Sequence, residues 1–138
     1  MNKQEQIHKI EWKEVELRDI CEVKKGSSIT KSQITEGIYP VVAGGKNFAY
    51  YHNEHNRDAN VITVSASGAS AGFINFYDIP IYASDCSTIV PYDENLILVK
   101  FVYYYLKTIQ DLIYKFQRGG GQPHVYAKDL IKLKIPIP

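Results

Sequence analysis

Cysteine is scarce: only Cys21 and Cys86 stand in the 138 residues. No disulfide framework can be built from two, so reduced cytosolic thiols are the default. A surplus of either charge is also missing, with 16 Lys and Arg against 15 Asp and Glu and a net charge of +1. Bulk charge therefore does not hold this chain to nucleic acid, since neutralising phosphates takes several cations on one face. A local basic face remains open, because Lys24, Lys25, Lys31, Lys46, Arg57, Arg118, Lys128, Lys132 and Lys134 all fall near predicted turns or element ends. No apolar run approaches the length that spans a bilayer, and the polar segment Met1 to Glu11 lacks the apolar centre of a signal peptide. Repeats, low-complexity tracts and linkers are missing too. Together these absences imply one soluble, intracellular domain, long enough to bury a core without disulfide or metal.

Several chemistries lack their signatures. Gly44-Gly45-Lys46 and the run Gly119 to Gly121 fit neither the phosphate-binding loop nor the dinucleotide fingerprint, and read as a turn and a helix cap. No Asn/Asp-Pro-Pro-aromatic motif of a methyltransferase is present, nor the acidic-lysine cluster of a nuclease. His52 and His55 lie three apart beside Glu54 and Asp58, but imidazoles at that spacing share a face only on a helix. The stretch is a polar loop without a third ligand for zinc.

One enzymatic motif does occur. Gly68-Ala69-Ser70-Ala71-Gly72 matches the nucleophile elbow G-x-S-x-G, and Asp85, Asp93, Asp111 and His124 follow in hydrolase order. The motif needs a helix after the serine, whereas Phe73 to Tyr77 reads as strand. A small-residue turn between two strands is the competing reading.

What the chain has in quantity is tyrosine, 11 in all, suited to half-buried strands and to binding surfaces. Trp12 to Leu17 alternates like a short strand, and Leu17 to Val23 has apolar spacing for one or two helical turns ending at Gly26. Tyr39 to Ala43, Phe48 to Tyr51, Val61 to Ser65, Phe73 to Tyr77, Ile79 to Ala83 and Ser87 to Val90 are strand candidates. Pro80 favours an edge for the fifth. His52 to Asn60 and Ser67 to Gly72 read as loop and turn. From Leu98 the apolar positions run through Phe101, Val102, Tyr105, Leu106, Ile109, Leu112, Ile113 and Phe116, predicting one long helix, capped by Asp93 or Asn95 and ended by Gly119. A helical turn over Val125 to Leu130 and an alternating strand from Ile131 to Pro138 close the chain. Strands first and a long helix later indicate an α+β domain with mixed, mostly antiparallel β structure.

Four stretches in order resemble one family. They are Trp12 to Gly26, Tyr39 to Gly45 (YPVVAGG), the central segment within Val61 to Val90, and Gly119 to Pro138. The chain resembles a target-recognition domain of a type I restriction–modification specificity subunit. The resemblance implies a non-catalytic DNA reader of one half of a split site, carrying no cofactor. Its partners would be double-stranded DNA, modification subunits that methylate adenine with S-adenosylmethionine, a restriction subunit, and a second target-recognition domain. Residues 1–138 are then a single target-recognition domain, in which the polar residues 1–11 read as a frayed lead-in. The spacer helix expected after Pro138 is missing, so a fragment or a half-subunit is implied. In the family the Gly68 to Gly72 stretch is a turn, which removes Ser70 as nucleophile.

Residue types and loop positions nominate the DNA contacts: Lys46, Asn47, His52, Asn53 and Arg57 before the central strand, Ser67 and Ser70 in the glycine turn, Arg118, Gln122 and His124 at the exit. Arginine and lysine suit guanine or phosphate, asparagine and glutamine suit adenine. Gln122 could equally hold its loop together. A protein-interaction module and a serine hydrolase on Ser70 and His124 are the competing functions.

Overall fold

The β-branched run Val61-Ile62-Thr63-Val64-Ser65 is buried at every position and is the strand around which the molecule is built. The computed structural model describes residues 11–138; the lead-in expected over Met1 to Lys9 lies outside the described residues. In chain order the elements are β1 (Lys13–Glu16), α1 (Leu17–Ile20), β2 (Cys21–Lys25), β3 (Tyr39–Val42), β4 (Tyr50–His52), β5 (Val61–Ser65), β6 (Ile74–Tyr77), β7 (Tyr82–Ala83) and β8 (Cys86–Pro91). They continue with α2 (Val99–Thr108), α3 (Gln110–Tyr114), α4 (Ala127–Leu130) and β9 (Lys134–Ile137).

Three sheets result: a four-stranded sheet in the order β2-β8-β5-β6, a three-stranded sheet in the order β4-β3-β7, and the ribbon β1-β9. All pairings are antiparallel except β3 with β7. The α+β, mostly antiparallel architecture expected from the sequence is the one observed. β7, with Pro80 just ahead of it, takes the edge position, where a missing amide costs no ladder bond.

The main core lies between the four-stranded sheet and the helices. Ile62, Val64, Ile74 and Ile89 from the sheet meet Val99, Val102 and Leu106 of α2, Ile113 of α3 and Leu130 of α4. Each such fully buried Leu or Ile contributes roughly 1.5–3 kcal/mol of transfer free energy. A second, smaller cluster of Val42, Val61, Ile81, Ala83 and Cys86 joins the two larger sheets.

Several element boundaries differ from the sequence reading, each for a local reason. The helix expected over Leu17 to Val23 stops at Ile20, and Cys21 to Lys25 pairs with β8 instead. Its first-turn amides are taken up by the far end of the chain, with Leu17 N–H donating to Leu133 O (2.8 Å) and Arg18 N–H to Ile131 O (3.1 Å). Gly26 therefore ends a strand; a Cβ there would collide with the Ser84 carbonyl and lie 2.7 Å from the Ala83 carbonyl. Neither Asp93 nor Asn95 caps the long helix. Asp93 folds its own turn, accepting from Asn95 N–H at its carboxylate, and Leu98 is the N-cap residue.

The long helix itself breaks at Ile109 (φ −108°, ψ 23°). There the Gln110 side chain leaves the helix line to bond the sheet: Oε1 accepts from Ile74 N–H (2.9 Å) and Nε2 donates to Gly72 O (2.8 Å). The helix resumes and ends at Tyr114, so Gly119 (φ +97°) belongs to the loop beyond it.

Candidate nucleic-acid interface

Three loops distant in sequence converge at one end of the four-stranded sheet. The first is the turn Ser67 to Gly72 between β5 and β6, bounded by Gly68 and Gly72 at φ +89° and +98°, which L side chains rarely adopt. Its amides are satisfied internally, by Ala71 N–H to Gly68 O (3.0 Å) and Phe73 N–H to Ser70 O (2.9 Å). From the helical side, Gln117 Nε2 donates to Ala71 O (2.9 Å) and Ala69 O (3.3 Å), and Gln110 holds Gly72 as described.

The second loop is the exit from α3. Arg118 and His124 exchange both backbone hydrogen bonds at 2.8 Å, closing the segment between them into a small hairpin. That hairpin is tied to the glycine turn by Gly68 N–H to Pro123 O (2.9 Å) and by Val125 N–H to Ala66 O (3.0 Å). The third loop, Gly44 to Asn47, is pinned by Ser65 Oγ donating to Gly45 O (2.7 Å) and Asn75 Nδ2 donating to Lys46 O (3.3 Å). Gly44 approaches so closely that a Cβ would lie 2.7 Å from Ser67 O. Asp85 sits where these loops meet, its carboxylate accepting from Ser67 Oγ. A groove of about 200 Å³ runs beside it, walled by Lys25, Asp85, His124 and Tyr126.

The ten nominated residues thus separate. Lys46, Asn47, Ser67, Ser70, Arg118, Gln122 and His124 lie on the three converging loops, with Lys46, Asn47, Arg118 and Gln122 exposed. Arg118 makes a bidentate pair with Asp129 (both 2.9 Å), and the His124 ring stacks on Tyr126 at 5.8 Å between centroids. Asn53 is exposed but lies at the opposite end of the β3–β4 pairing from the Gly44 to Asn47 loop, its amide donating to Thr35 O (2.9 Å).

Two nominations are corrected. His52 is only 5% exposed. Its Nδ1 accepts from Thr35 N–H (3.1 Å) and its ring meets Tyr82 edge-on. Arg57 spends its guanidinium on the fold, donating to Thr88 Oγ1 (2.7 Å), Asn56 O (2.9 Å) and Lys25 O (3.0 Å). The His52 ring is thus enclosed, and the Arg57 guanidinium commits three of its five N–H donors to the fold.

The hydrolase constellation does not assemble. A strand, not a helix, follows the turn, and Asp85 accepts from Ser67 rather than orienting His124. His55 lies against Tyr39 (4.6 Å), and among the described residues no group of His, Cys, Asp and Glu could hold a metal. Burial pushes the Cys21 and Cys86 thiols up to about 12, leaving them protonated and unreactive near neutral pH.

Sequence reasoning missed Lys107, Gln110 and Gln117. They lie three and seven residues apart on the stripe that faces β6 and the glycine turn, polar residues bordering an otherwise apolar helix face. Lys107 Nζ donates to Ile74 O (2.9 Å) and lies 4.2 Å from the Phe73 ring centroid. Burial, and then the neighbouring Lys46 ammonium, lower its pKa.

This architecture defines a class, the DNA-specificity fold of restriction systems. The crystal structure of a type I restriction–modification S subunit from Mycoplasma genitalium superimposes with a TM-score of 0.83 at 28% identity, covering 94% of this chain and 35% of that one. The HsdS subunit of Thermoanaerobacter tengcongensis shares the fold, with a TM-score of 0.69 at 18% identity over 92% of this chain and 33% of that one. The chain belongs to the type I restriction modification DNA specificity domain family, whose description matches residues 9–138. A protein of Mycoplasma pneumoniae named as a type I specificity subunit is 29% identical over 128 residues, 91% of this chain and 34% of that protein. The chain thus spans about a third of the length of the curated relatives it matches.

Proposed function

We propose that this chain is a single target-recognition domain that reads one half of a split DNA site as the specificity component of a type I restriction–modification system. The observation that carries the reading is the convergence of the glycine turn, the exit hairpin and the Gly44 to Asn47 loop, which places Lys46, Asn47 and Gln122 on one exposed, internally braced surface. Asn47 and Gln122 can each pair bidentately with an adenine edge, and Lys46 suits guanine or phosphate. Ser67, Ser70 and His124 supply shorter-range contacts, and Arg118, held by Asp129 through Nε and Nη2, offers Nη1 to a phosphate. His52 and Arg57 act beneath the surface, as scaffold. Asn53 is a peripheral contact.

The domain carries no cofactor of its own and performs no chemistry. Methylation and cleavage fall to the modification and restriction subunits with which it assembles, alongside a second target-recognition domain that reads the other half-site. The described residues contain no helix long and apolar enough to cross a membrane, in keeping with work on DNA in the cytoplasm. Selection from a randomised duplex pool at low salt tests the reading, with an enriched motif of a few base pairs expected. Failure to retain any duplex, with a modification subunit still bound, would make the chain a protein-interaction module instead.

A further inference from the structure

Two cations lie against the ring of Phe73, just past the glycine turn. Lys107 Nζ lies 4.2 Å and Lys46 Nζ 5.6 Å from the centroid of the same ring. They come from opposite directions, Lys107 from α2 and Lys46 from the Gly44 to Asn47 loop. Each backbone origin is fixed, the loop by Asn75 Nδ2 on Lys46 O and the helix by its packing of Val102 and Leu106 in the core. Among the described residues neither ammonium lies within salt-bridge distance of a carboxylate.

Two like charges drawn together without a counter-ion repel, and ring attraction offsets this only in part. The Lys107 pKa responds in that direction, lowered by burial and by Lys46. A dianionic or monoanionic oxygen cluster between the two would remove the repulsion and engage donors that remain free on both ammoniums, since Lys107 commits one proton to Ile74 O.

We propose that Lys46 and Lys107, gathered over Phe73, form a clamp for one DNA backbone phosphate at the margin of the reading loops. The inference rests on the DNA-reading function above and deepens it: the clamp sets the register of the duplex, while Asn47 and Gln122 read bases. A phosphate contact carries no sequence information, so it fixes position and affinity rather than specificity.

The test measures binding of the 138-residue chain to its enriched duplex across a salt series, for wild type, Lys46→Gln, Lys107→Gln, the double variant and Lys107→Arg. One shared phosphate predicts that the slope of log affinity against log salt falls by about 0.9 in the double variant. Each single Gln variant should produce most of that fall, Lys107→Arg should retain the slope, and the enriched motif should stay the same. A scan of single methylphosphonate substitutions should find one position that weakens wild type about tenfold but leaves the double variant unaffected. An unchanged slope in a folded double variant, or no such position, overturns the clamp while leaving DNA reading intact. Absence of any wild-type binding overturns both.

Discussion

The segments His52 to Arg57 and Arg118 to His124 look alike on paper, each a polar stretch with histidine, arginine and an amide-bearing side chain. In the folded chain they do opposite work. The first turns its side chains inward: His52 is buried on Tyr82, Asn56 bonds both the amide and carbonyl of Ala83, and Arg57 ties β8 to β2. The second spends mainly its backbone on the fold, through the Arg118–His124 pair and the bond from Gly68, and leaves Gln122 exposed. Side-chain type therefore does not decide which loop is free to bind; what decides is whether the side chain or the backbone supplies the fold's hydrogen bonds.

The sharpest way to break this contrast is Arg57→Ala. It removes the donors to the Thr88 hydroxyl and to the Asn56 and Lys25 carbonyls at once, and should lower the unfolding free energy by about 3 kcal/mol, read from urea denaturation. The enriched DNA motif should be unchanged below the melting transition. A fully stable variant that has lost its motif would place Arg57 among the readers.

Next in size, Gly26→Ala forces a Cβ into the Ala83 and Ser84 carbonyls and should cost about 2 kcal/mol, again without altering sequence preference. On the other side of the comparison, Gln122→Ala and Asn47→Ala should leave stability within about 0.5 kcal/mol. Each should weaken the cognate duplex by roughly tenfold and relax one motif position, seen in competition binding. Equal weakening on all sequences would reassign them to phosphate contacts.

At neutral pH the smallest effect concerns the two buried thiols, which change stability only in alkali. Burial raises Cys21 and Cys86 from 9.0 to about 12. The unfolded chain therefore releases those protons at a pH where the folded chain keeps them. Their stabilisation is complete below about pH 9 and is lost as pH rises toward 12, at roughly 1 kcal/mol per thiol per pH unit. A thiol reagent at neutral pH should label neither until the chain is unfolded, and Cys21→Ser with Cys86→Ser should alter the alkaline limb of the stability curve.

The strands with a strong side-chain signature were legible in the sequence, above all Val61 to Ser65, the glycine turn after it, and the closing strand. Errors cluster where two periods coincide. Leu17, Ile20, Cys21 and Val23 fit a helix and, from Cys21 onward, also alternate; pairing with β8 settles the matter, and pairing is not local. Ile109 continues the apolar stripe of the long helix, so nothing around it announces the break. The cause is Gln110, whose partners Gly72 and Ile74 stand far away in sequence. The placement of the nominated residues was half legible for the same reason. Lys46, Asn47 and Gln122 lie in loops identifiable by their glycines, whereas the service of His52 and Arg57 depends on Tyr82, Thr88 and Lys25, which only the tertiary fold brings near.

The ribbon β1-β9 has one more consequence. Lys13 pairs with Ile137 and Glu16 with Lys134, so the first and last strands run antiparallel and their outer ends lie side by side. Tension applied through those ends loads the cross-strand bonds one at a time, from Lys13–Ile137 inward, and then the bonds joining Leu17 and Arg18 to Leu133 and Ile131. Peeling of this kind yields at low force, whereas β2, β8, β5 and β6 carry no direct load until the ribbon has opened. The clasp is thus a mechanical fuse: a pull along the polypeptide opens the seam before it disturbs the surface proposed to touch DNA.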